Sequence, residues 1–401
     1  MTKAEPITAD PTAARTFRRR VFYIPGYDPI HPRRYRELYR KEGAAQAAIS
    51  GYSLALHPKT TQGPYGWHVT TDHAEAEVEV LVWSDIVRNS MQQGIIATYL
   101  QLIRTAWTYI ASGALFHLMR LRKGPTIAAL YPIAMLLAHL TLALVAGYGL
   151  FRLTAQLHPL LGIAAALTII IIMLRTFRAK DNRLYAYYLM HDYAFTAQLN
   201  GANPAALETR MVDFQSTIAA ALSQDLDEVL VVGHSSGAHL AVSILADLIR
   251  AKPPQATLAL LTLGQVVPMA SFLPRANRLR ADLNYLAARP ELTWVDVTAP
   301  GDGCAFALCD PVSVTGVAPA NKRWPLVISA AFSQTLSPAK WKHLRWRFFR
   351  LHFQYLCAFD RPGDYDYFQI TAGPLTLQKR YENRAPSKSR IETPCSGYRT
   401  L

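Results

Sequence analysis

The sequence predicts an α/β fold: a mostly parallel sheet with helices on both faces, interrupted by a hairpin of two long apolar helices. Short apolar runs alternate along the chain with segments of helical spacing, which is typical of strand–helix–strand units. The run at 229–233 is apolar throughout, as in a strand buried on both faces. Two further blocks, 125–151 and 157–174, are long and apolar enough to approach or exceed the thickness of a bilayer core.

Composition limits the partners of the chain. Its 401 residues are 51% hydrophobic, enough for one large domain with an insertion or for two domains. The 42 basic and 28 acidic side chains give a net charge of +14, which favours nucleic acid or anionic lipid as a partner. The basic residues cluster beside the apolar blocks, and motifs for zinc or nucleic-acid binding are missing from the sequence. We therefore expect a lipid bilayer as partner and no nucleic acid.

The two ends of the chain and its cysteines carry weaker signals. Residues 1–20 are polar, end in a basic run and lack the apolar core of a signal peptide, so we expect a disordered N-terminus. Residues 380–401 are rich in Arg, Asn, Pro and Ser and predict a disordered tail. All four cysteines follow residue 300 at spacings that match no metal site, which predicts reduced thiols and no metal.

Residues 21–120 predict the first part of the α/β domain. Strands are expected at 21–24, 51–57 and 76–83, and a helix at 32–49. The segment 92–120 has helical composition and mixes aromatic with basic side chains, which is typical of a helix lying at a membrane interface.

Residues 121–183 predict the membrane hairpin, with helices at about 125–151 and 157–174. Basic residues flank both outer ends, whereas the link carries only Arg152. This distribution predicts that both ends, and the domain attached to them, face the cytoplasm of a bacterial-type inner membrane. Because the second block is short, the alternative is a hydrophobic cap or dimerisation hairpin that enters one leaflet or none.

Residues 184–379 predict the second part of the domain. An aromatic belt at 184–199 and a helix at 204–224 lead into the strand that begins at 228. A helix at 236–250, a strand at 257–263, a helix at 276–288 and a strand at 292–297 follow.

A Gly-x-Ser-x-Gly pattern, 233–237, lies where the strand must turn abruptly into the helix. Glycines suit this position because the turn leaves no room for a Cβ. Ser235 is then lifted to the carboxyl edge of the sheet, beside unpaired N–H groups at the start of a helix. The pattern predicts a nucleophilic serine, and the alternative is a buried structural serine in a tight turn.

Together with 21–27 and the strand and loop at 292–303, this turn resembles the α/β-hydrolase family of serine hydrolases. The resemblance implies that Ser235 is the nucleophile and that an acid and then a histidine follow it. Asp302 lies in a glycine-rich loop after a strand, where the family places its acid; Asp310 and Asp296 are the alternatives. It also implies an oxyanion hole formed by the N–H groups of Ser236 and Tyr27, and no cofactor.

Two histidines follow Asp302, namely His343 and His352. If 341–356 is one helix, they lie on opposite sides of it, and His352 shares the apolar side. His352 is therefore the predicted base, and the alternative is a histidine that only fills the core.

These features predict a membrane-associated serine hydrolase that cleaves an ester or related acyl bond of a lipid-like substrate through Ser235, His352 and Asp302. An acyltransferase would use the same residues. Further alternatives are an inactive membrane-anchored scaffold with a hydrolase fold and a soluble hydrolase with an apolar cap.

Overall fold

The computed structural model describes residues 15–401, so positions 1–14 of the predicted N-terminal segment lie outside it. Its described part contains one eight-stranded sheet in the order β2-β3-β4-β1-β5-β6-β7-β8. The strands are β1 Phe17–Ile24, β2 Ala55–Pro58, β3 Gly66–Thr70, β4 Ala74–Val80, β5 Glu228–His234, β6 Leu258–Leu263, β7 Leu292–Thr298 and β8 Leu326–Ser329. The pairs β2–β3 and β3–β4 are antiparallel and the rest parallel. The predicted fold class is confirmed.

Helices connect and cover these strands. Those between β1 and β5 are α1 Arg33–Ser50, α2 Ser84–Met91, α3 Ile95–Ala111, α4 Ala114–Leu118, α5 Lys123–Thr154, α6 Pro159–Ala179, α7 Asp181–Leu184, α8 Ala186–Ala197 and α9 Ala205–Leu222. Those after β5 are α10 Gly237–Ala251, α11 Val267–Ser271, α12 Asn277–Ala287, α13 Pro311–Thr315, α14 Phe332–Thr335, α15 Pro338–Leu344, α16 Phe348–His352, α17 Tyr367–Ala372 and α18 Leu377–Tyr381. A short 3-10 helix occupies Gln354–Leu356.

The sheet separates two hydrophobic cores, and β5 contributes to both. Val229 and Val231 face the core formed with α9, α10 and α12, whereas Leu230 and Val232 face the core formed with α1, α17 and the segment around Tyr355. All seven residues of β5 are buried. This two-sided burial explains the uninterrupted apolar run in the sequence.

The carboxyl ends of the central strands meet at one edge of the sheet. In the parallel register, Ile24 of β1 pairs with Gly233 of β5, and His234 pairs with Leu263 of β6. The loops that follow β1, β5, β6 and β7 therefore lie side by side, which is where open α/β sheets carry their ligand sites.

Two apolar helices, α5 and α6, interrupt the domain between β4 and β5. They have 32 and 21 residues, and only 22% and 6% of their most apolar stretches are buried. Both are long and apolar enough to cross a membrane. The predicted pair of apolar helices is thus confirmed, and each is longer than the blocks 125–151 and 157–174.

Both ends of the domain differ from the predicted disorder. Arg19, expected in a disordered segment, lies inside β1 and is buried with its guanidinium 2.6 Å from the Glu228 carboxylate. In the tail, Ile391 forms a β-bridge with Cys309, and the Arg280 side chain donates to the carbonyl of Thr400 at 2.8 Å. Long-range pairing compensates the polar composition that suggested disorder.

Three predicted segments also differ from the structure, and two strands were not predicted. The segment 92–120 forms two helices, α3 and α4, and 341–356 divides into α15, α16 and a 3-10 helix. The predicted strand at 51–57 shortens to β2, and the sequence prediction missed β3 and β8. Short strands at the side of a sheet bury little apolar surface, so their sequences carry weak periodicity.

Candidate functional site

Ser235 stands on the turn between β5 and α10 in a strained backbone conformation. Its φ of 56° lies in the left-handed region, which a residue with a Cβ rarely adopts. The turn is fixed on both sides, because the Ser235 N–H donates to the Leu263 carbonyl at 2.9 Å and its carbonyl accepts from the Ala238 N–H at 3.2 Å. The side chain is partly exposed at the carboxyl edge of the sheet.

Crowding explains both glycines of the pattern. A Cβ at Gly237 would lie 2.2 Å from the Ile24 carbonyl oxygen of β1. One at Gly233 would lie 2.7 Å from the Cα of Ala238. Backbone atoms cannot yield at such distances, so the glycines allow the helix to begin directly against the neighbouring strand.

Asp302 and His352 form a buried hydrogen-bonded pair. The Nδ1 atom of His352 lies 2.7 Å from Oδ2 of Asp302, and both side chains are almost fully buried. Two more donors reach the carboxylate: the Tyr355 hydroxyl at 3.0 Å and the Cys304 N–H at 2.9 Å. If Nδ1 carries the proton that it donates to Asp302, Nε2 remains free to accept one.

The charge of Asp302 is stabilised by these partners. Burial opposes ionisation, but the neighbouring His352 and the hydrogen bonds from His352, Cys304 and Tyr355 outweigh it, and the pKa of Asp302 lies below its usual value. The carboxylate is thus ionised at neutral pH and can hold the imidazole in one orientation.

The two alternative aspartates have other partners. Asp310 caps the start of α13 through the N–H groups of Val312 and Ser313 and forms an ion pair with Lys322. Asp296 is fully buried in β7, where its carboxyl group accepts a hydrogen bond from Thr262 at 2.6 Å. Burial raises the pKa of Asp296 to about 8. Of the three candidates, Asp302 is the one whose carboxylate contacts an imidazole.

The structure places His352, and not His343, beside this acid. His343 is exposed on α15, whereas His352 is buried at the end of α16. Residues 341–356 do not form the one continuous helix that the prediction assumed. His352 nevertheless meets Asp302, because His352 lies on the buried side of this segment and His343 on the exposed side.

His352 lies next to the residues that flank the turn at Ser235. A Cβ at Gly264, the residue after the Leu263 partner of Ser235, would lie 3.1 Å from Cε1 of His352. The ring centroid of His234 is 4.9 Å from that of His352. Among the described residues, the hydroxyl of Ser235 makes no hydrogen bond, and such contacts are often loose until substrate binds.

His234, the residue before Ser235, supports the backbone of His352. Its Nε2 lies 3.0 Å from the His352 carbonyl oxygen, and its Nδ1 lies 3.3 Å from the Tyr23 hydroxyl. Burial lowers the pKa of His234 to about 3, so the ring is neutral. A neutral ring that donates from Nε2 and accepts at Nδ1 satisfies both contacts.

The two predicted oxyanion donors are adjacent, but one is occupied. The Tyr27 N–H donates to the Ser236 hydroxyl at 2.8 Å. Within residues 15–401, the N–H of Ser236 has no partner. The Tyr27 loop is fixed from both sides, because Trp83 donates to the Pro25 carbonyl at 2.9 Å and Tyr188 donates to the Tyr27 carbonyl at 2.5 Å.

The structure thus gathers Ser235, Ser236, Tyr27, His352 and Asp302 at one edge of the sheet. No family model, curated protein or solved structure matches this chain.

Asp192 is a residue at this edge that the sequence argument missed. It projects from α8 into a narrow cavity whose walls include Tyr27, Ser236 and His239. The residue keeps some solvent exposure, but the protein atoms around its carboxyl group exclude most water from it. This burial raises the pKa of Asp192 to about 7, and the nearby His352 opposes the shift. Its sequence signal was a lone acid within the aromatic belt 184–199, which indicates an unusual environment for a carboxylate but no specific role.

Asp302, Cys304 and His352 also lie close enough to suggest a metal site, since one ligand atom from each falls within 4.8 Å of the others. The Asp302 Oδ2 atom already lies 2.7 Å from the His352 Nδ1 atom and accepts from the Tyr355 hydroxyl at 3.0 Å, so a metal ion would have to replace both contacts.

Proposed function

We propose that this chain is a membrane-associated serine hydrolase of the α/β-hydrolase type, which cleaves an ester or related acyl bond of a lipid-like substrate. The observation that carries the proposal is the Asp302–His352 hydrogen bond beside a serine in a left-handed turn. A buried imidazole oriented by an ionised carboxylate is the arrangement that a serine hydroxyl needs to become a nucleophile.

In the proposed mechanism, Ser235 attacks the acyl carbon while Nε2 of His352 takes the hydroxyl proton. His352 then returns that proton to the leaving alcohol, and Asp302 keeps the ring oriented and stabilises its positive charge. The Ser236 N–H holds the oxyanion, joined by the Tyr27 N–H once the Ser236 hydroxyl turns away. Water, activated by the same histidine, releases the acid and restores Ser235.

A membrane position is supported by the exposed apolar surfaces of α5 and α6 and by the basic residues at both outer ends of the hairpin. We propose that both helices enter the inner membrane from the cytoplasmic side. The base of the hairpin lies close to the site, because a Cβ at Gly124 of α5 would be 3.0 Å from Cα of Gly303, the residue after Asp302. This proximity supports a substrate that dissolves in the bilayer.

The catalytic proposal is tested by labelling the full-length protein with a fluorophosphonate, which modifies activated serines. We expect the wild-type protein to be labelled at Ser235 and Ser235→Ala to remain unlabelled. Ser236→Ala is the matched control, because it removes the neighbouring hydroxyl and leaves both backbone donors in place, and it should still be labelled. Labelling that is missing from the wild type, or retained in Ser235→Ala, would favour the inactive scaffold.

The membrane proposal is tested separately by washing membranes with alkaline carbonate. A hairpin that enters the bilayer keeps the chain in the pellet, whereas a soluble hydrolase with an apolar cap would be released. Activity towards water and towards an added alcohol acceptor then distinguishes hydrolysis from acyl transfer.

A further inference from the structure

Helix α3 presents an unpartnered apolar stripe along one face. Its exposed large hydrophobic residues follow each other at intervals of four and three, which places them in line on a helix: Ile96, Leu100, Ile103, Trp107 and Ile110. Ile96 is 79% exposed and Trp107 is 71% exposed. Soluble surfaces rarely carry such a continuous apolar row unless it contacts another molecule or a membrane.

The opposite face of α3 fixes the direction of the stripe. Leu102, Thr105 and Tyr109 are buried against the domain. The Tyr99 hydroxyl donates to the Leu136 carbonyl of α5 at 2.9 Å, and the Tyr109 hydroxyl donates to the Met269 carbonyl at 3.0 Å. The helix is held to the body of the protein at both of its ends, so the stripe cannot turn inward.

Exposed apolar side chains also occur on the neighbouring elements. Helix α3 contacts the hairpin where the Tyr99 hydroxyl reaches the Leu136 carbonyl of α5, and both helices pack against α8. Ile127 and Leu130 in the early turns of α5, and Phe116 and Met119 in and just after α4, are exposed as well. Exposed apolar side chains are thus found on α3 and α4 as well as on the hairpin.

The charge of this region indicates which partner covers it. From residue 86 to residue 180 the sequence contains no Asp or Glu, whereas nine residues are Lys or Arg. A second copy of the chain would bring two such cationic surfaces together, which is unfavourable. A bilayer with anionic headgroups accepts both the apolar stripe and the positive charge.

A second exposed segment lies beside the active site. Trp346 and Phe348 are 71% and 48% exposed, and Arg345, Arg347 and Arg350 surround them. Phe349 packs on Tyr185, just after the hairpin, with ring centroids 4.4 Å apart. The same segment leads directly to His352. Aromatic and basic side chains together are typical of the headgroup layer of a membrane.

We propose that α3, α4 and residues 345–350 lie in the headgroup layer of the leaflet that the hairpin enters, so that the active site opens onto anionic lipid. This inference rests on the proposed function and narrows its substrate to an acyl ester held in that leaflet. The hairpin anchors the chain, and the interfacial surface formed by these three segments sets the distance between Ser235 and the lipid headgroups.

The test uses the full-length protein in vesicles of phosphatidylcholine and phosphatidylglycerol whose acyl chains carry bromine near the headgroup. Bromine quenches tryptophan fluorescence at contact distance. We expect quenching in the wild type, a clear loss of the quenched component in Trp107→Phe, and a smaller loss in Trp346→Phe. Trp324→Phe is the matched control. Trp324 lies just before β8, at the amino ends of the parallel strands, whereas Ser235 lies at their carboxyl ends, so Trp324 should contribute nothing to quenching. Equal quenching of the wild type and Trp107→Phe would overturn the proposal.

Activity provides a second measurement. Replacing Ile103 and Trp107 with Glu puts two anionic groups on the stripe and should lower kcat/KM on a vesicle-embedded ester by about tenfold. Hydrolysis of a short water-soluble ester should stay within about twofold of the wild type, because the stripe does not contact the catalytic residues. Equal losses on both substrates would overturn the proposal. Quenching at Trp107 without fluorophosphonate labelling would support the interfacial surface and reject the proposed hydrolase. Labelling without quenching would reject the interfacial surface alone.

Discussion

Ser235, the proposed nucleophile, lies in a strained backbone conformation. A non-glycine residue in the left-handed region costs roughly 1–3 kcal/mol, which the surrounding structure must supply. We therefore expect Ser235→Gly to be inactive and yet as stable as the wild type, or more stable by up to about 1 kcal/mol, because glycine accepts this conformation without a Cβ penalty. Thermal unfolding in detergent measures the effect, with Ser235→Ala as the control because it removes the same hydroxyl and keeps the Cβ. A clear loss of stability in Ser235→Gly would show that the turn is not strained.

Asp302 and Asp310 provide a matched pair that separates chemistry from stability. Asp302→Asn removes the charge that orients His352 and should lower kcat by about a thousandfold or more while the fold persists. Asp310→Asn should retain the labelling rate at Ser235 and lose about 1–2 kcal/mol of stability, because Asp310 caps α13 and pairs with Lys322. Labelling kinetics and thermal unfolding of both variants distinguish the roles. Equal activity of the two variants would contradict the assignment of Asp302.

Asp192 should make stability depend on pH. Its pKa is raised from 3.8 to about 7, so the folded protein binds the proton more tightly than the unfolded chain does. The stability that this proton provides is complete below pH 3.8 and is lost as pH rises from there to about 7. Above that pH, Asp192 no longer changes the stability. Asp192→Asn should therefore gain Tm relative to the wild type between pH 5 and pH 8.

The neighbours of Asp192 define the control for this measurement. Tyr27, Tyr109 and Cys304 face it from three other elements and stay neutral over this range, because burial raises the pKa of each. His239 is neutral as well, because burial lowers its pKa to about 4. Asp296 is present in both proteins, so its titration cancels. Because the charge of His352 acts on the pKa of Asp192, the comparison is repeated in a His352→Ala background. A Tm difference that does not change with pH would mean that Asp192 does not titrate between pH 5 and pH 8.

At the scale of elements, β5 and α10 could be predicted from one feature, the tight Gly-x-Ser-x-Gly turn that joins them. A strand buried on two faces gives an apolar run, and the turn after it tolerates only glycine at 233 and 237. The segment 341–356 could not be predicted in this way. Its aromatic and aliphatic residues repeat as in a single helix, but Arg347 leaves the helical conformation and exposes Trp346 and Phe348. Periodicity does not distinguish residues that face a core from residues that face a membrane.

The packing of α5 against α6 depends on a small residue. A Cβ at Gly147 would lie 2.7 Å from the Ile170 side chain, whereas one at Gly149 would meet nothing within 4 Å. Gly147→Ile should therefore destabilise the hairpin by about 1–3 kcal/mol, and Gly149→Ile should be tolerated. Thermal unfolding in detergent and tryptic cleavage at Arg152, in the last turn of α5, measure the difference. Similar behaviour of the two variants would contradict the observed pairing.

For the whole molecule, the sequence was sufficient to predict the fold class, the apolar hairpin and its place before β5. It was not sufficient for the two ends of the chain. Arg19 pairs with Glu228 across more than two hundred positions, and the tail pairs with Cys309 and Arg280. Such partners are distant in sequence, so a charged or proline-rich segment appears disordered until the fold brings its partner close.

The contact between Gly124 and Gly303 links the apolar hairpin mechanically to the loop that holds Asp302, the proposed catalytic acid. The backbones of α5 and of the loop after β7 are in close contact there, so a change in the tilt of α5 would displace the loop that holds Asp302. Lipids with longer or shorter chains change that tilt through hydrophobic mismatch. If the chain is the hydrolase proposed above, turnover of a water-soluble ester should consequently vary with the thickness of the surrounding vesicle, and the proposed activity would respond to the physical state of the membrane.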